Sequence, residues 1–550
     1  MAFSPSKPMS RNISLTCRGR PFQISCKVIP LTVIPTGEPI QNEQLFEYTN
    51  GRFLVNEKHE KSKRYAKFNL DALCTLVSSL PSISSPISKI DKMEGGFNKA
   101  LLMTAENGKE VIAKIPCPSV VPSEYSTASE VAILEYVKSN TSIPVSKVLA
   151  WSSGSSNPVG SEYILTEKVN GRQLVDVWGE MDQLQQFKLI QNLAQLESQL
   201  ASMEFPGYGN LYFRHSIKQQ SQTIPINDNY CIGPAYNVSW FPHSGNGNYA
   251  GPWSSLSDLG LALANRGLAH VQHSTIVPRG PHFGTTAEHI HVLETAMEII
   301  PRLAAHTTLQ RFSRPALWHG DLHLGNIFVC NQDPTTIVGI IDWQFVSIMP
   351  AFMQVQWPSF LSPPENYKVG IVKPELPPNF DQMDSDEKAF AITERNQALL
   401  SKCYEAALVK NHLESYLTLT RADSAIRDLL SCPENMWKEG IVPLRESLTQ
   451  ISENWHKLGL SEPCPYRITS DDLSRYRLQL SQYKDWHKVK EYTQELLHSD
   501  DDGWVPPQLD FEKVQARHNE LFQLFIQRES EVLPEEEAKK LWFYIGKSDA

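Results

Sequence analysis

No run of about 18 consecutive apolar residues occurs in this chain. The longer apolar stretches, such as Leu70–Ile90, are broken by Ser, Pro or charge, so a membrane-spanning helix is not expected. Nor is there a Cys-x-x-Cys pair. The nine cysteines (Cys17, Cys26, Cys74, Cys117, Cys231, Cys330, Cys403, Cys432, Cys464) are scattered and odd in number. That argues against a disulfide framework or a zinc module, and for reduced thiols in a cytosolic or matrix compartment. No internal repeat is visible. With 41% hydrophobic and 20% charged residues, the composition excludes a wholly disordered, collagenous or coiled-coil chain. At 550 residues the chain has room for several domains, or one large two-lobed unit, and for a core without covalent staples.

Acidic side chains are also missing from residues 1–37, where Lys7, Arg11, Arg18, Arg20 and Lys27 precede the first acid, Glu38. These five bases leave the rest of the chain at −15, against −10 for the whole. An acidic body lacks the basic footprint of nucleic-acid binding. A leader that is basic, rich in Ser and Thr and free of acid has the composition of a mitochondrial transit peptide. Pro5, Pro8 and Pro21 work against the amphipathic helix that import favours.

Along the chain, Phe46–Val55 can hold a short strand, Lys58–Lys67 reads as a charged, solvated connection, and the Pro and Ser cluster Leu80–Pro86 as a linker. Short β-like runs come next at Ile87–Met93, Ala100–Thr104 and Glu110–Ile115, separated by Glu94-Gly95-Gly96 and Glu106-Asn107-Gly108. Ser123 can cap a helix that runs to about Lys138, and further β-like runs lead to Glu162–Leu165. The composition then shifts. Asp182 and Gln185 form a capping-box pattern before a helical stretch. The segment 204–256 is dense in Gly, Pro, Asn, Tyr and Trp, and 355–386 is Pro-rich. From Lys388 to the C-terminus most segments have a helical pattern.

The strongest chemical signal is Trp318-His-Gly-Asp-Leu-His-Leu-Gly-Asn-Ile-Phe-Val329, succeeded by Val338-Gly-Ile-Ile-Asp342-Trp343. Asp321 and Asn326 lie five apart across a Gly-containing loop. A carboxylate there can take a proton from a substrate hydroxyl, and an amide oxygen can ligate a hard cation. Asp342 ends the β-like run Thr336–Ile341, so a strand can hold it in the same cleft. Magnesium prefers oxygen ligands and commonly keeps waters and nucleotide phosphates in its shell. A positioned base with a metal-holding Asn and Asp is the division of labour in phosphoryl transfer by kinases.

These residues resemble the His-x-Asp-x-x-x-x-Asn loop of the aminoglycoside phosphotransferase and choline kinase family, within the protein-kinase-like superfamily. The resemblance implies a small antiparallel β-rich N-lobe and a larger, mostly helical C-lobe, an α+β fold. It implies Asp321 as catalytic base and Asn326 and Asp342 as magnesium ligands, with His319 and His323 supporting the loop. Lys114, closing Val111-Ile-Ala-Lys, would contact ATP phosphates, and Glu130 would pair with it. Ile133, Leu134 and Val137 put Glu130 on an inward face of its helix, whereas Glu135 lies on another. Gly95, Gly96 and Asn98 stand where a nucleotide-covering loop belongs, though without the full spaced glycine pattern of protein kinases. Tyr163–Glu167 would be the hinge facing the adenine. Gln344 departs from the family, many of whose members carry an acid after Asp-Trp. The leader and Phe205-Pro-Gly-Tyr-Gly-Asn210 resemble a fungal subgroup tied to mitochondrial inheritance.

The expected organisation is a leader (1–37), an extension and linker (38–86), an N-lobe (87–168), a C-lobe (169–500) with insertions near 204–256 and 355–386, and a helical C-terminal segment (501–550). The expected activity is transfer of phosphate from ATP to a hydroxyl of a small molecule, with magnesium, in mitochondria. A nucleotide-binding pseudokinase acting in mitochondrial maintenance is the alternative. A protein kinase fits less well, because no Ala-Pro-Glu element comes after Asp342.

Overall fold

A computed structural model describes residues 29–33, 37–122, 124–217, 221–236, 249–273, 282–468 and 470–544. Most of the expected leader lies outside the described residues, as does Ser123. The first strand, β1 (Leu31–Val33), falls inside the span assigned to the leader.

Next come β2 (Arg52–Phe53) and two helices, α1 (Glu57–Lys63) and α2 (Leu70–Ser79). The strands β3 (Ile87–Glu94), β4 (Asn98–Ala105) and β5 (Glu110–Pro116) form two hairpins, and α3 (Tyr125–Asn140) leads on to β6 (Val148–Ser152) and β7 (Tyr163–Glu167). One six-stranded sheet has the order β1-β3-β4-β5-β7-β6, antiparallel except where β1 runs parallel to β3. Strand alternation sets the chemistry: Val111, Ala113 and Ile115 point into the core, which turns Lys114 to the opposite face of the sheet.

Two expectations change here. Residues 38–86 are no detached extension and linker, because Leu45, Phe68, Leu73, Val77 and Ile83 share one core with Ile90 and Leu101. Lys58–Lys67 contains α1 rather than a solvated connection. Its buried Arg64 is held by Glu60 at 2.8 Å and lies over the Phe53 ring at 4.8 Å. The apolar positions of this region keep neither period 2 nor 3.6 for long, so no amphipathic signal marks it.

The C-lobe begins at β8 (Arg172–Gln173). Asp182 caps the helix Gln183–Ala201 through reciprocal bonds with Gln185, 2.8 and 2.9 Å, as the capping-box pattern predicts. Within 204–256, β9 (Asn210–Phe213), β10 (Ile224–Pro225) and β11 (Tyr230–Gly233) make a small sheet, and Asn210 Nδ2 donates to Ser129 Oγ of α3 at 3.1 Å. This insertion covers the far side of α3, which explains why α3 is buried nearly all round from Ser126 to Val137. Then β12 (Pro315–Leu317) pairs with β15 (Ile348–Pro350), and between them lies the hairpin of β13 (Ile327–Val329) and β14 (Ile337–Ile340). The helices Leu256–His273, Thr286–Ala304, Ser424–Glu439 and Val442–Glu453 build the largest core. Near the C-terminus β16 (Trp504–Val505) returns to pair with β2 of the other lobe. Trp504 Nε1 donates to the Asn50 carbonyl at 2.8 Å, and Asn50 Nδ2 to the Glu94 carbonyl at 2.6 Å. The expected separate C-terminal segment is thus stapled to the N-lobe. The whole is the two-lobed α+β, protein-kinase-like architecture.

One buried acid opposes C-lobe stability. Glu197 accepts from Tyr404 Oη at 2.9 Å, its Oε1 has no hydrogen-bond partner, and burial pushes its carboxyl up from 4.5 to about 8. Above the unfolded value the unfolded chain sheds this proton while the folded state keeps it. The contribution is therefore fully present below about pH 4.5 and lost progressively toward about pH 8. Glu197→Gln should flatten that part of the melting-temperature profile between about pH 5 and 8, as thermal melts across this range would read. An unchanged slope would place the pH dependence elsewhere.

Candidate active site

Three elements from both lobes deliver their charges to one point. From β5, Lys114 Nζ lies 2.8 and 2.9 Å from the two oxygens of Glu130 on α3, and 3.1 Å from Asp342 Oδ1 just past β14. Burial raises the Glu130 carboxyl against the pull of Lys114, while Lys114 chiefly holds the Asp342 carboxyl below its ordinary value. Burial also works against the Lys114 charge, but Asp342 and Glu130 more than offset it, and its pKa lies above the usual lysine value. Asp342 is therefore an anion at neutral pH. Its φ of +62° is left-handed, as is that of Phe345, a backbone state that costs energy and gathers at functional sites.

The β13–β14 hairpin explains how Asn326 meets Asp342. Ile327 pairs with Ile340, and Ile341 N–H donates to the Asn326 carbonyl at 3.0 Å, so the two residues flank the same end. Asn326 is buried, and its Nδ2 donates to the Asp321 carbonyl at 2.9 Å, which leaves its amide oxygen for another partner. Asp321 itself is open to solvent, its side chain 73% exposed. His319 Nε2 donates to the Ile341 carbonyl at 2.9 Å, steadying the residue before Asp342. Burial depresses the His319 pKa, its Nδ1 has no hydrogen-bond partner, and its ring meets Trp343 edge-on at 4.8 Å. His323 Nδ1 accepts from Gly325 N–H at 3.0 Å. A Cβ on Gly325 would come within 2.9 Å of the His323 ring, so this tight loop requires glycine. A pocket of about 210 Å³ opens over Asp321 and Asp342, walled by Phe97, His319, Gln344, Phe345 and Val346.

The donor set suits a hard cation. Among the described residues no group of three or more His, Cys, Asp or Glu could hold a metal ion. A cation here would thus take the Asn326 amide oxygen, the ionised Asp342 carboxylate and phosphate or water oxygens, as magnesium does.

Two expected nucleotide contacts come out differently. The Asn98 amide faces Gln344 rather than the open cleft: its Nδ2 donates to Gln344 Oε1 at 2.7 Å. Glu167 ends β7 with its backbone N–H given to the Lys147 carbonyl at 3.0 Å and its side chain exposed beside Lys147. Its amide is not free for a nucleobase, because β7 is flanked by strands on both sides. The lobes are joined by 168–171, directly before β8. Gly95 and Gly96 do form the turn between β3 and β4. Neither has a neighbour within 4 Å of a would-be Cβ, so the protein's own packing does not call for glycine there.

Sequence reasoning missed Glu162 and Arg64. Glu162 caps α3, accepting from Glu124 N–H and Thr127 Oγ1, each at 2.6 Å, and so does the work expected of Ser123. Arg64 Nε donates to the Gly96 carbonyl at 3.1 Å. Both act across at least 32 residues of sequence, and no local pattern announces such contacts.

Residues 262–355 match the model of the phosphotransferase enzyme family, APH, a span that holds Asp321, Asn326 and Asp342. A subtelomeric hrmA-associated cluster protein of Aspergillus fumigatus is 28% identical over 503 residues, 83% of this chain and 96% of the relative. Altered inheritance of mitochondria protein 9, mitochondrial, of Yarrowia lipolytica is 23% identical, covering 86% of each chain. Both the family and the fungal subgroup read from the motifs are thus found again. Among solved structures, a putative fructosamine-3-kinase of Thermobifida fusca covers 69% of this chain and 100% of its own, at 12% identity and a TM-score of 0.36.

Proposed function

We propose that this chain is a phosphotransferase that moves the terminal phosphate of ATP to a hydroxyl of a small molecule, with magnesium, in mitochondria. The observation that carries the reading is the convergence of Lys114, Glu130 and Asp342 from three elements beside an open Asp321. Lys114, held by Glu130, orients the nucleotide phosphates. Asn326 and Asp342 would hold magnesium, which when bound neutralises phosphate charge. Asp321 accepts the hydroxyl proton as the acceptor oxygen bonds to the terminal phosphorus. The bridging P–O bond then breaks and nucleoside diphosphate leaves. Positioning and electrostatics supply most of the rate in such transfers. The basic leader and the mitochondrial name of the Yarrowia relative support the location.

Thermal melts with ATP, with and without magnesium, test the binding half. A ligand that binds only the folded state stabilises it by about 2.7 kcal/mol at 100 times its Kd. The expected result is a magnesium-dependent rise in melting temperature that Asp342→Ala abolishes. If ATP shifts the wild type under no condition, the reading fails. Binding without turnover on any hydroxylated acceptor would favour the pseudokinase.

A further inference from the structure

Gln344, the residue that departs from the family pattern, is 9% exposed and uses both ends of its amide. Asn98 Nδ2 donates to Gln344 Oε1 at 2.7 Å, while Gln344 Nε2 donates to Asn98 Oδ1 and to Ser126 Oγ, each at 3.3 Å. One side chain thereby joins three elements: β4 at its first residue after the glycine turn, the first turn of α3, and the segment that carries Asp342. Ser126 and Glu130 are four apart on α3 and share a face, so the contact to Ser126 also fixes Glu130 relative to Asp342 on either side of Lys114. Beside this amide pair, Phe97 of the turn meets Phe345 edge-on at 5.5 Å. A carboxylate at position 344 has no N–H to give Asn98 Oδ1 or Ser126 Oγ, so the amide is what this arrangement needs.

We propose that Gln344 is a positioning residue for the nucleotide site. Its reciprocal amide pair with Asn98 clamps the Gly95–Gly96 turn over the Asp342 end of the cleft and so sets nucleotide affinity. This rests on the nucleotide-binding reading above. Asn98 then serves the nucleotide through Gln344 rather than by touching it, and the pair acts as a latch between the lobes. Buried amide pairs are costly to half-remove, because the partner left behind is unsatisfied.

Two measurements on full-length protein decide the matter: amide hydrogen exchange at residues 94–98 without nucleotide, and calorimetric titration with ATP and magnesium. Gln344→Ala and Asn98→Ala should each speed exchange in the turn and weaken ATP binding by roughly tenfold. The double variant should be no worse than either single, since both break one contact. Asn98→Gln combined with Gln344→Asn keeps an amide pair of the same overall reach and should recover most of both losses, which mere loss of packing volume would not. Unchanged exchange in Gln344→Ala, additive losses in the double variant, or no recovery in the swapped pair would each overturn the latch. Should Gln344→Ala fail to fold, Asn98→Ala at the strand end carries the same expectation. If wild-type protein binds no ATP, the nucleotide reading and the affinity claim fall together, and the exchange data alone judge the clamp.

Discussion

Asp321→Asn is expected to slow phosphoryl transfer by about 10²–10⁴-fold, the range a positioned general base contributes, while ATP affinity stays at the wild-type value. The reason is geometric. Asp321 is solvent-open and makes no close ion pair, its nearest cationic neighbour being His323 Nε2 at 4.0 Å. The backbone carbonyl that anchors Asn326 survives the substitution. The change therefore removes a proton acceptor and leaves the loop standing. Single-turnover measurement with an acceptor taken from a screen of hydroxylated small molecules separates the two effects. Full activity in the variant would show that Asp321 is not the base. A parallel loss of ATP binding would show that it organises the site instead.

Lys114→Met should have a double effect, on nucleotide binding and on stability. Glu130 is buried, and its principal cationic partner is Lys114 at 2.8 Å. Removing one member of a buried pair costs about 3–5 kcal/mol, because a desolvated charge is left behind. Without the lysine, burial would raise the Glu130 carboxyl further. The deficit should then shrink as pH falls toward the ordinary glutamate value and grow as pH rises above it. Combining Lys114→Met with Glu130→Gln removes the stranded charge and should restore most of the stability, yet not the magnesium-dependent ATP shift. Denaturant melts of the three variants with and without ATP would read this. If the double variant regains nucleotide binding, Lys114 does not contact phosphate. If Lys114→Met loses no stability, the pair carries no structural weight.

The two halves of the site differ in how visible they were. Asp321, Asn326 and Asp342 lie within 22 residues, on one loop and one hairpin whose register comes from local sequence. A motif suffices to find such a set. Lys114 and Glu130 required an argument about faces. Alternation along β5 and the apolar neighbours of Glu130 point them inward, and the ion pair is present. The expected helix stripe was nonetheless too narrow for α3, since the 204–256 insertion buries its other side.

Asn98 and Glu167 show where local reading ends. Both stand at positions that a family resemblance assigns to the nucleotide, yet their polar groups are taken by Gln344, which lies 246 positions away, and by the Lys147 carbonyl. Residues 38–86 carry the same lesson, since their scattered apolar side chains have no period until β3 and β4 supply a surface to fill.

What the amino-acid sequence determined by itself is therefore the chemistry held in short-range pattern. That comprises the loop from Asp321 to Asn326, the strand that ends at Asp342, the hairpins around the glycine turn, and the alternation that aims Lys114. Steric and hydrogen-bonding rules over a few residues are enough to specify these. Only the tertiary structure decided that Gln344 locks Asn98, that Glu162 caps α3, that Arg64 holds Gly96, and that Trp504 staples the C-terminus to the N-lobe. Each is a contact between residues far apart in sequence. Its partner is selected by which surfaces burial brings together, and no local rule encodes that choice.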